Sequence, residues 1–131
     1  MTAPRNPIEL RPWLMARARA GEAAVLAEHA DAGMPVDLPD PRGNTLLMWG
    51  AVCGQVEVVR VLAERGADVD ARNDDGRTPL AAATFLAHVE VVEALVSSGA
   101  SPDGGSPSAR AVAEFTGSAE MLTLLGPASS A

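Results

Sequence analysis

The side chains that could do chemistry in this chain are two histidines, one cysteine and the carboxylates around its turns. His88 and Glu90 form an H-x-E pair, the pattern with which zinc deaminases present a metal ligand and a general acid or base. Those enzymes also need two thiolates in a C-x-x-C pattern, and Cys53 is the only cysteine in the chain. We therefore interpret His88 as a structural residue and predict neither a metal site nor a cofactor.

His29 and Cys53 do not supply a catalytic site either. We place Cys53 near the C-terminal end of a helix, facing the groove described below, where the helix dipole disfavours the reactive thiolate. His29 aligns with Leu62 and Leu95, so we expect it to hydrogen-bond a carbonyl or to lie at the exposed end of the fold. A pH-sensitive or binding role is the alternative for His29. Because no nucleophile and base stand at a recognisable spacing, we predict no catalytic residue.

Composition and charge narrow the classes of partner. The 131 residues carry a formal net charge of -7, which opposes the binding of nucleic acid or of an anionic membrane surface. A single cysteine cannot close an internal disulfide, which favours a reducing cytoplasm. No apolar run approaches the roughly 18–20 residues that span a bilayer, and residues 1–13 do not resemble a secretory signal.

Two consecutive segments of the chain align with each other without a gap. The first covers 40–72 and the second begins at Asn73, so every matching pair has the same separation. The matching residues are Gly43 and Gly76, Thr45 and Thr78, Leu47 and Leu80, Glu57-Val58-Val59 and Glu90-Val91-Val92, Leu62 and Leu95, and Gly66-Ala67 and Gly99-Ala100. A fixed period of this length is typical of repeat proteins, in which each unit buries its apolar face against its neighbours.

Weaker copies extend the repeat in both directions. On the N-terminal side Leu14 falls on Leu47 at the same separation. On the C-terminal side the separation is shorter, because the loop at 102–108 has lost part of its length, and Phe115 then falls on Phe85. We therefore predict one domain of four units, followed by a disordered tail at 127–131; the units are 7–39, 40–72, 73–104 and 105–126.

Each unit is predicted to form two antiparallel helices and a projecting turn. In the second unit Thr45 can cap the first helix, and the second helix is expected to run from about Val56 to Glu64. The polar residues of that second helix fall on one face and its apolar residues, such as Leu62, fall on the other. Gly66 suits the left-handed conformation that commonly ends a helix.

These motifs resemble the ankyrin-repeat family, and small bacterial-type members of it in particular. The resemblance covers about residues 10–125 and implies an all-α solenoid of about four helix-turn-helix units with short projecting turns. Ala87 departs from the family pattern, which has a glycine after the first helix. The residues that carry the resemblance are Gly76-Arg77-Thr78-Pro79-Leu80, Glu57-Val58-Val59 and Gly66-Ala67-Asp68-Val69-Asp70.

The resemblance also implies a binding surface, because ankyrin proteins usually meet partners at the turn tips and at the exposed positions of the first helices. Apolar residues that cluster at the surface mark interaction sites, and aromatic and arginine side chains often anchor them. The alternative for Phe85 is burial under the shortened loop at 101–107. Carried onto this sequence, the partner-binding residues are Arg42, Asn44, Trp49, Val52, Asp74, Asp75, Arg77, Phe85 and Leu86.

The function that follows from this resemblance is the binding of another protein, of unknown identity, through the concave face of a monomer. The chain would then act as an adaptor, an inhibitor or an accessory subunit. An alternative is a small apolar molecule held in the groove of a carrier or an unusual enzyme, with Trp13, Trp49, Phe85 and His29 lining the pocket. A third interpretation is a homo-oligomer formed by pairing of the stack ends.

Overall fold

The computed structural model describes residues 3–127, which are helical apart from turns, irregular loops and one isolated bridge between Gly105 and Ser108. Of the tail predicted at 127–131, all but Pro127 lies outside the described residues. No helix within 3–127 is long and apolar enough to cross a membrane. The helices of this range are α1 (Pro7–Ala20), α2 (Ala23–Asp31), α3 (Leu46–Val52), α4 (Val56–Glu64), α5 (Pro79–Phe85), α6 (Val89–Ser97), α7 (Ala109–Thr116) and α8 (Ala119–Leu125).

These helices form two layers. In the first layer α1, α3, α5 and α7 lie side by side, and in the second layer α2, α4, α6 and α8 do the same. Each first-layer helix also packs against the second helix of its own unit. The predicted all-α solenoid of helix-turn-helix units is therefore confirmed, and we call the outer surface of α3, α5 and α7 with their preceding turns the first-helix face.

The second helix of the second unit shows how the sequence pattern produces this packing. α4 has the predicted bounds, with Val58 and Leu62 fully buried and Glu57 exposed. Burying one such aliphatic side chain contributes about 1.5–3 kcal/mol. Gly66 follows the helix at φ 89°, a left-handed conformation in which a side chain would be strained.

Hydroxyl side chains fix where the first helices begin. At the start of α3, α5 and α7, a hydroxyl accepts a hydrogen bond from the amide three residues further on, at 3.1–3.2 Å. The three capping residues are Thr45, Thr78 and Ser108. Removal of such a cap typically costs about 1 kcal/mol, so these residues help to set which side chains reach the first-helix face.

Carboxylates in the turns that follow the second helices link neighbouring units. Asp37 Oδ1 accepts a hydrogen bond from the Asp68 amide at 2.9 Å. One repeat later, Asp70 Oδ1 accepts a hydrogen bond from the Ser101 amide at 2.8 Å. Because donor and acceptor both recur at the repeat spacing, these bonds hold successive units in the same relative position.

Candidate functional site

A groove of about 680 Å³ runs along the first-helix face over α3, α5 and α7. Its residues come from three consecutive units, so no single unit forms it. A volume of this size lies within the range of about 300–1,000 Å³ that is usual for binding clefts. The groove is lined by Asn44, Met48, Val52, Asn73, Asp75, Arg77, Ala81, Ala82, Phe85, Leu86, Pro107, Ala111, Val112 and Phe115.

Large apolar side chains stand exposed at the helix C-terminal end of this groove. Phe85 is 65% exposed, Leu86 44% and Phe115 91%. Side chains of this size are normally buried, and a cluster of exposed ones marks an interaction surface. The exposure of Phe85 also excludes its burial under the loop at 101–107.

The opposite end of the groove is polar, and Asn73 organises it. Asn73 Oδ1 accepts hydrogen bonds from the amides of Asp75 and Arg77 at 3.0 and 3.1 Å. Asn73 Nδ2 donates to Asn44 Oδ1 of the preceding turn at 3.0 Å. The two turns are therefore joined, and Asp75 and Arg77 are presented from a backbone that is already ordered.

The shortened loop before α7 closes the third side of the groove. The Ser106 amide donates to the Gly76 carbonyl at 3.1 Å, which brings Pro107 against the turn of the third unit. Gly105 lies at φ 89°, and a Cβ there would stand 3.0 Å from Thr78 Cγ2. Any residue with a side chain at 105 would require Thr78 to move, so the shortened loop packs closely against the start of α5.

Six of the nine predicted partner-binding residues line the groove, and three do not. The groove contains Asn44, Val52, Asp75, Arg77, Phe85 and Leu86. The other three are Arg42, Asp74 and Trp49. Arg42 and Asp74 are exposed on neighbouring turn tips, where the Asp74 amide donates to the Arg42 carbonyl at 3.0 Å.

Trp49 lies toward the first unit, because two specific partners hold it there. Its indole Nε1 donates to Asp40 Oδ2 at 2.9 Å, and the Arg19 guanidinium lies 4.8 Å from its ring centre. Burial raises the pKa of Asp40, but the hydrogen bonds it accepts, first from the Asn44 amide and then from this indole, lower it by more. The pKa of Asp40 is therefore below its ordinary value, and Trp49 packs between the first and second units, outside the groove.

Sequence reasoning missed Phe115, the most exposed aromatic residue of the groove. The signal was present, because Phe115 aligns with Phe85 once the shorter spacing of the last unit is allowed for. The other lining residues absent from the prediction include Asn73 and Ala111. The fourth unit therefore contributes a wall of the groove in addition to covering the end of the stack.

The four residues proposed for a small-molecule pocket do not meet in one place. Trp13 and His29 lie together in the first unit, with ring centres 5.6 Å apart. His29 Nδ1 donates to the Val25 carbonyl at 2.9 Å, which confirms the expected hydrogen bond to a carbonyl. Trp49 is held by Asp40, while Phe85 alone of the four lines the groove.

The remaining candidates for chemistry, His88 and Cys53, lie outside the groove. His88 Nε2 donates to the Val52 carbonyl at 3.0 Å, as a residue that joins two units. Cys53 is exposed at the C-terminal end of α3 and does not line the groove. Among residues 3–127, no three or more His, Cys, Asp or Glu side chains come together as a metal site would require.

Comparisons with known proteins agree with this geometry. The family model described as ankyrin repeats (3 copies) matches residues 14–106, which is more than half of the chain. The matched range includes α2 to α6 in full and ends in the loop before α7. A search of curated proteins gave no significant match to the chain.

Proposed function

Since the chain belongs to the ankyrin-repeat family, whose repeats are generally protein–protein interaction modules, we propose that it binds a partner protein in the groove of its first-helix face. It would act there as an adaptor, an inhibitor or an accessory subunit of that partner. Binding requires no catalytic residue of this chain.

The observation that carries the proposal is the exposure of Phe85, Leu86 and Phe115 around one groove. At about 25 cal/mol for each Å² of apolar surface removed from water, covering such side chains favours association. The polar end of the groove, with Asp75 and Arg77 on ordered turns, can fix the orientation of the partner. An apolar centre with a polar edge is the usual arrangement of a protein interface.

Affinity capture with a matched pair of variants tests this proposal. Phe85→Glu places a charge in the groove, whereas Ile8→Glu places one on α1 at a side chain that is 83% exposed and outside the groove. Both variants should retain the wild-type helical circular dichroism spectrum. Proteins that are captured by the wild type and by Ile8→Glu but not by Phe85→Glu would support the proposal. Equal recovery with Phe85→Glu would overturn it.

The volume of the groove supports a second candidate, the binding of a small apolar molecule. A cleft of about 680 Å³ with a largely apolar lining can hold a metabolite-sized ligand. A ligand that binds only the folded state raises the melting temperature. This candidate predicts that a metabolite library contains compounds that raise the melting temperature of the wild type but not of Phe85→Glu. Absence of any such compound would count against it.

A further inference from the structure

We propose that the partner segment in the groove is an amphipathic α-helix whose apolar stripe is flanked by lysine or arginine residues. This inference rests on the proposed function, because it names the chemistry of the segment that the groove binds. Two observations carry it: the absence of a strand edge along the described groove, and the distribution of charge among the units.

The groove offers no strand edge to an extended peptide. Within residues 3–127 the only bridge joins Gly105 to Ser108, and the middle of the groove is lined by helix side chains such as Ala81, Ala82 and Val112. An extended segment would leave its amides and carbonyls unpaired against this apolar surface, at a cost for each group that water cannot reach. A helix satisfies its own backbone and can place an apolar stripe in a groove, so it is the better occupant.

The small residues along α5 and α7 favour the same occupant. Ala81 is buried and Ala82 is half-buried on α5, while Ala111 lies exposed on α7. A surface of short side chains lets a second helix approach closely, and the larger Phe85 and Phe115 then flank it. The middle of the groove is therefore lined by short side chains, and large apolar side chains project from the surface at one end.

The negative charge of the chain is concentrated in the units that form most of the groove. Residues 1–39 have five carboxylates and four arginines, and residues 40–72 have the same numbers. Residues 73–131 have seven carboxylates and only two arginines, Arg77 and Arg110. Arg110 is already bound to Asp103, with Nε 2.7 Å from Oδ1. The potential around the third and fourth units is therefore negative, which favours a basic partner.

The helix ends at the groove add to this bias. α3, α5 and α7 all end along the first-helix face, and none of them has a basic residue in its last turn. The C-terminal end of a helix carries a partial negative charge that basic groups stabilise. Asp75 lines the groove next to Arg77, and the exposed carboxylate of Asp74 lies beside it in the chain. Lysine or arginine residues beside the apolar stripe would meet these groups.

Three synthetic helical peptides of about 18 residues test the inference in titrations with the full chain. The first has leucine and lysine arranged as an amphipathic helix, the second replaces each lysine by glutamate, and the third has the lysine peptide's composition in shuffled order. The amphipathic lysine peptide should bind about tenfold more tightly than either of the others at about 0.15 M salt. Equal affinity for the lysine and glutamate peptides, or for the ordered and shuffled peptides, would overturn the inference.

A matched pair of charge reversals separates the groove from the total charge of the chain. Asp75→Arg changes a residue of the groove, whereas Glu90→Arg makes the same change on α6 of the same unit, outside the groove. At a Debye length of about 8 Å, Asp75→Arg should weaken the lysine peptide about fivefold and Glu90→Arg less than about twofold. Equal losses would show attraction to net charge alone and would overturn the inference.

The two proposals fail in distinguishable ways. If Phe85→Glu loses the captured proteins but the lysine and glutamate peptides bind the wild type equally, the protein-binding proposal stands and the basic helix is wrong. If Phe85→Glu retains every captured protein, the protein-binding proposal fails, and the basic helix fails with it. Self-association of the wild type that the lysine peptide does not displace would overturn the inference in favour of a second copy of the chain.

Discussion

His88 Nε2 donates a hydrogen bond to the Val52 carbonyl oxygen across 3.0 Å, which joins the start of α6 to the last residue of α3. Gln55 makes the equivalent bond one repeat earlier, where its Nε2 donates to the Arg19 carbonyl at 2.9 Å. The two donors occupy equivalent positions of successive units, and so do the two acceptors. An imidazole and an amide thus perform the same structural task, because both can present an N–H at the same reach from the backbone.

This equivalence predicts that glutamine, but not alanine, can replace His88. His88→Ala leaves the Val52 carbonyl without its side-chain donor and should lower the free energy of unfolding by about 1 kcal/mol. His88→Gln should retain most of that free energy, since Gln55 already makes this bond. Urea unfolding of the three proteins measures the difference. Equal destabilisation by the two substitutions would show that the ring matters through packing and that the hydrogen bond does not.

Ala87 predicts a stabilising substitution at the end of α5. It is the only described non-glycine residue with a positive φ, at 61°, and Gly54 occupies the equivalent position at 71°. A Cβ in this conformation costs roughly 1–2 kcal/mol, of which part is offset because glycine is more flexible in the unfolded chain. Ala87→Gly should therefore raise the free energy of unfolding by about 0.5–1 kcal/mol.

The control for Ala87→Gly is the same substitution at Ala24, an exposed residue inside α2. There the backbone is helical, so Ala24→Gly should lower stability by about 1 kcal/mol. Thermal unfolding of both variants gives the two signs in one experiment. A loss of stability in Ala87→Gly would mean that the methyl group of Ala87 makes a contact worth more than the strain.

Asp40 predicts a pH-dependent contribution to stability. Its Oδ2 accepts from the Trp49 indole and its Oδ1 from the Arg42 and Asn44 amides, each at 2.9 Å. Because the folded pKa is lowered, the stabilisation is complete above the unfolded value of about 3.9 and is lost as the pH falls through the folded value. Asp40→Asn can still accept from the amides but not from the indole, and should cost about 1–2 kcal/mol at pH 7.

A double-mutant cycle with Trp49→Phe isolates the indole bond of Asp40. Phenylalanine keeps an aromatic ring but has no N–H, so Asp40→Asn should cost less in that background than in the wild type. The cost of Asp40→Asn in the wild type should also shrink as the pH falls below about 4. A cost that is independent of both pH and the residue at 49 would contradict the role assigned to this carboxylate.

The repeat pattern was sufficient to predict the fold, but only part of the groove. Capping residues are a local signal, and the apolar pattern recurs at a fixed spacing. Together they placed α4 at its observed bounds and Thr45 at the start of α3. Phe85 and Leu86 were accessible to the same reasoning, because the position of a residue in the unit determines its layer. The fourth unit was harder, since the shortened loop moved Phe115 out of the regular spacing.

Trp49 shows the limit of reasoning from position in the repeat. The position of its indole is set by a hydrogen bond to Asp40, earlier in the same unit, and by a cation–π contact with Arg19 in the preceding unit. Neither partner recurs in the third unit, where Ala82 occupies the position equivalent to Trp49. Interactions between individual side chains that occur only once within residues 3–127 carry no periodic signal, so the repeat pattern does not predict the contacts of such a residue.

The hydrogen bonds of Arg110 are expected to stabilise the last helix, α8. Its guanidinium donates to the Asp103 carboxylate at 2.7 Å and to the Gly126 and Pro127 carbonyls at 2.7 and 3.1 Å. Lysine, with a single ammonium, cannot reproduce this planar set of donors. Hydrogen exchange in α8 should therefore be faster in both Arg110→Ala and Arg110→Lys, with α4 unchanged as the internal reference. Wild-type exchange in Arg110→Lys would show that the positive charge alone stabilises α8.

Phe115 predicts a separation between stability and binding. Because its side chain is 91% exposed, Phe115→Ser removes almost no buried surface and should change the free energy of unfolding by no more than about 0.5 kcal/mol. Leu47→Ala, at a fully buried position, should cost about 2–5 kcal/mol. The same Phe115→Ser variant should weaken binding of the amphipathic lysine peptide. Urea unfolding and peptide titration of the same variants decide between a role in stability and a role in binding. If Phe115→Ser were as destabilising as Leu47→Ala, the ring would be part of the core and unavailable to a partner.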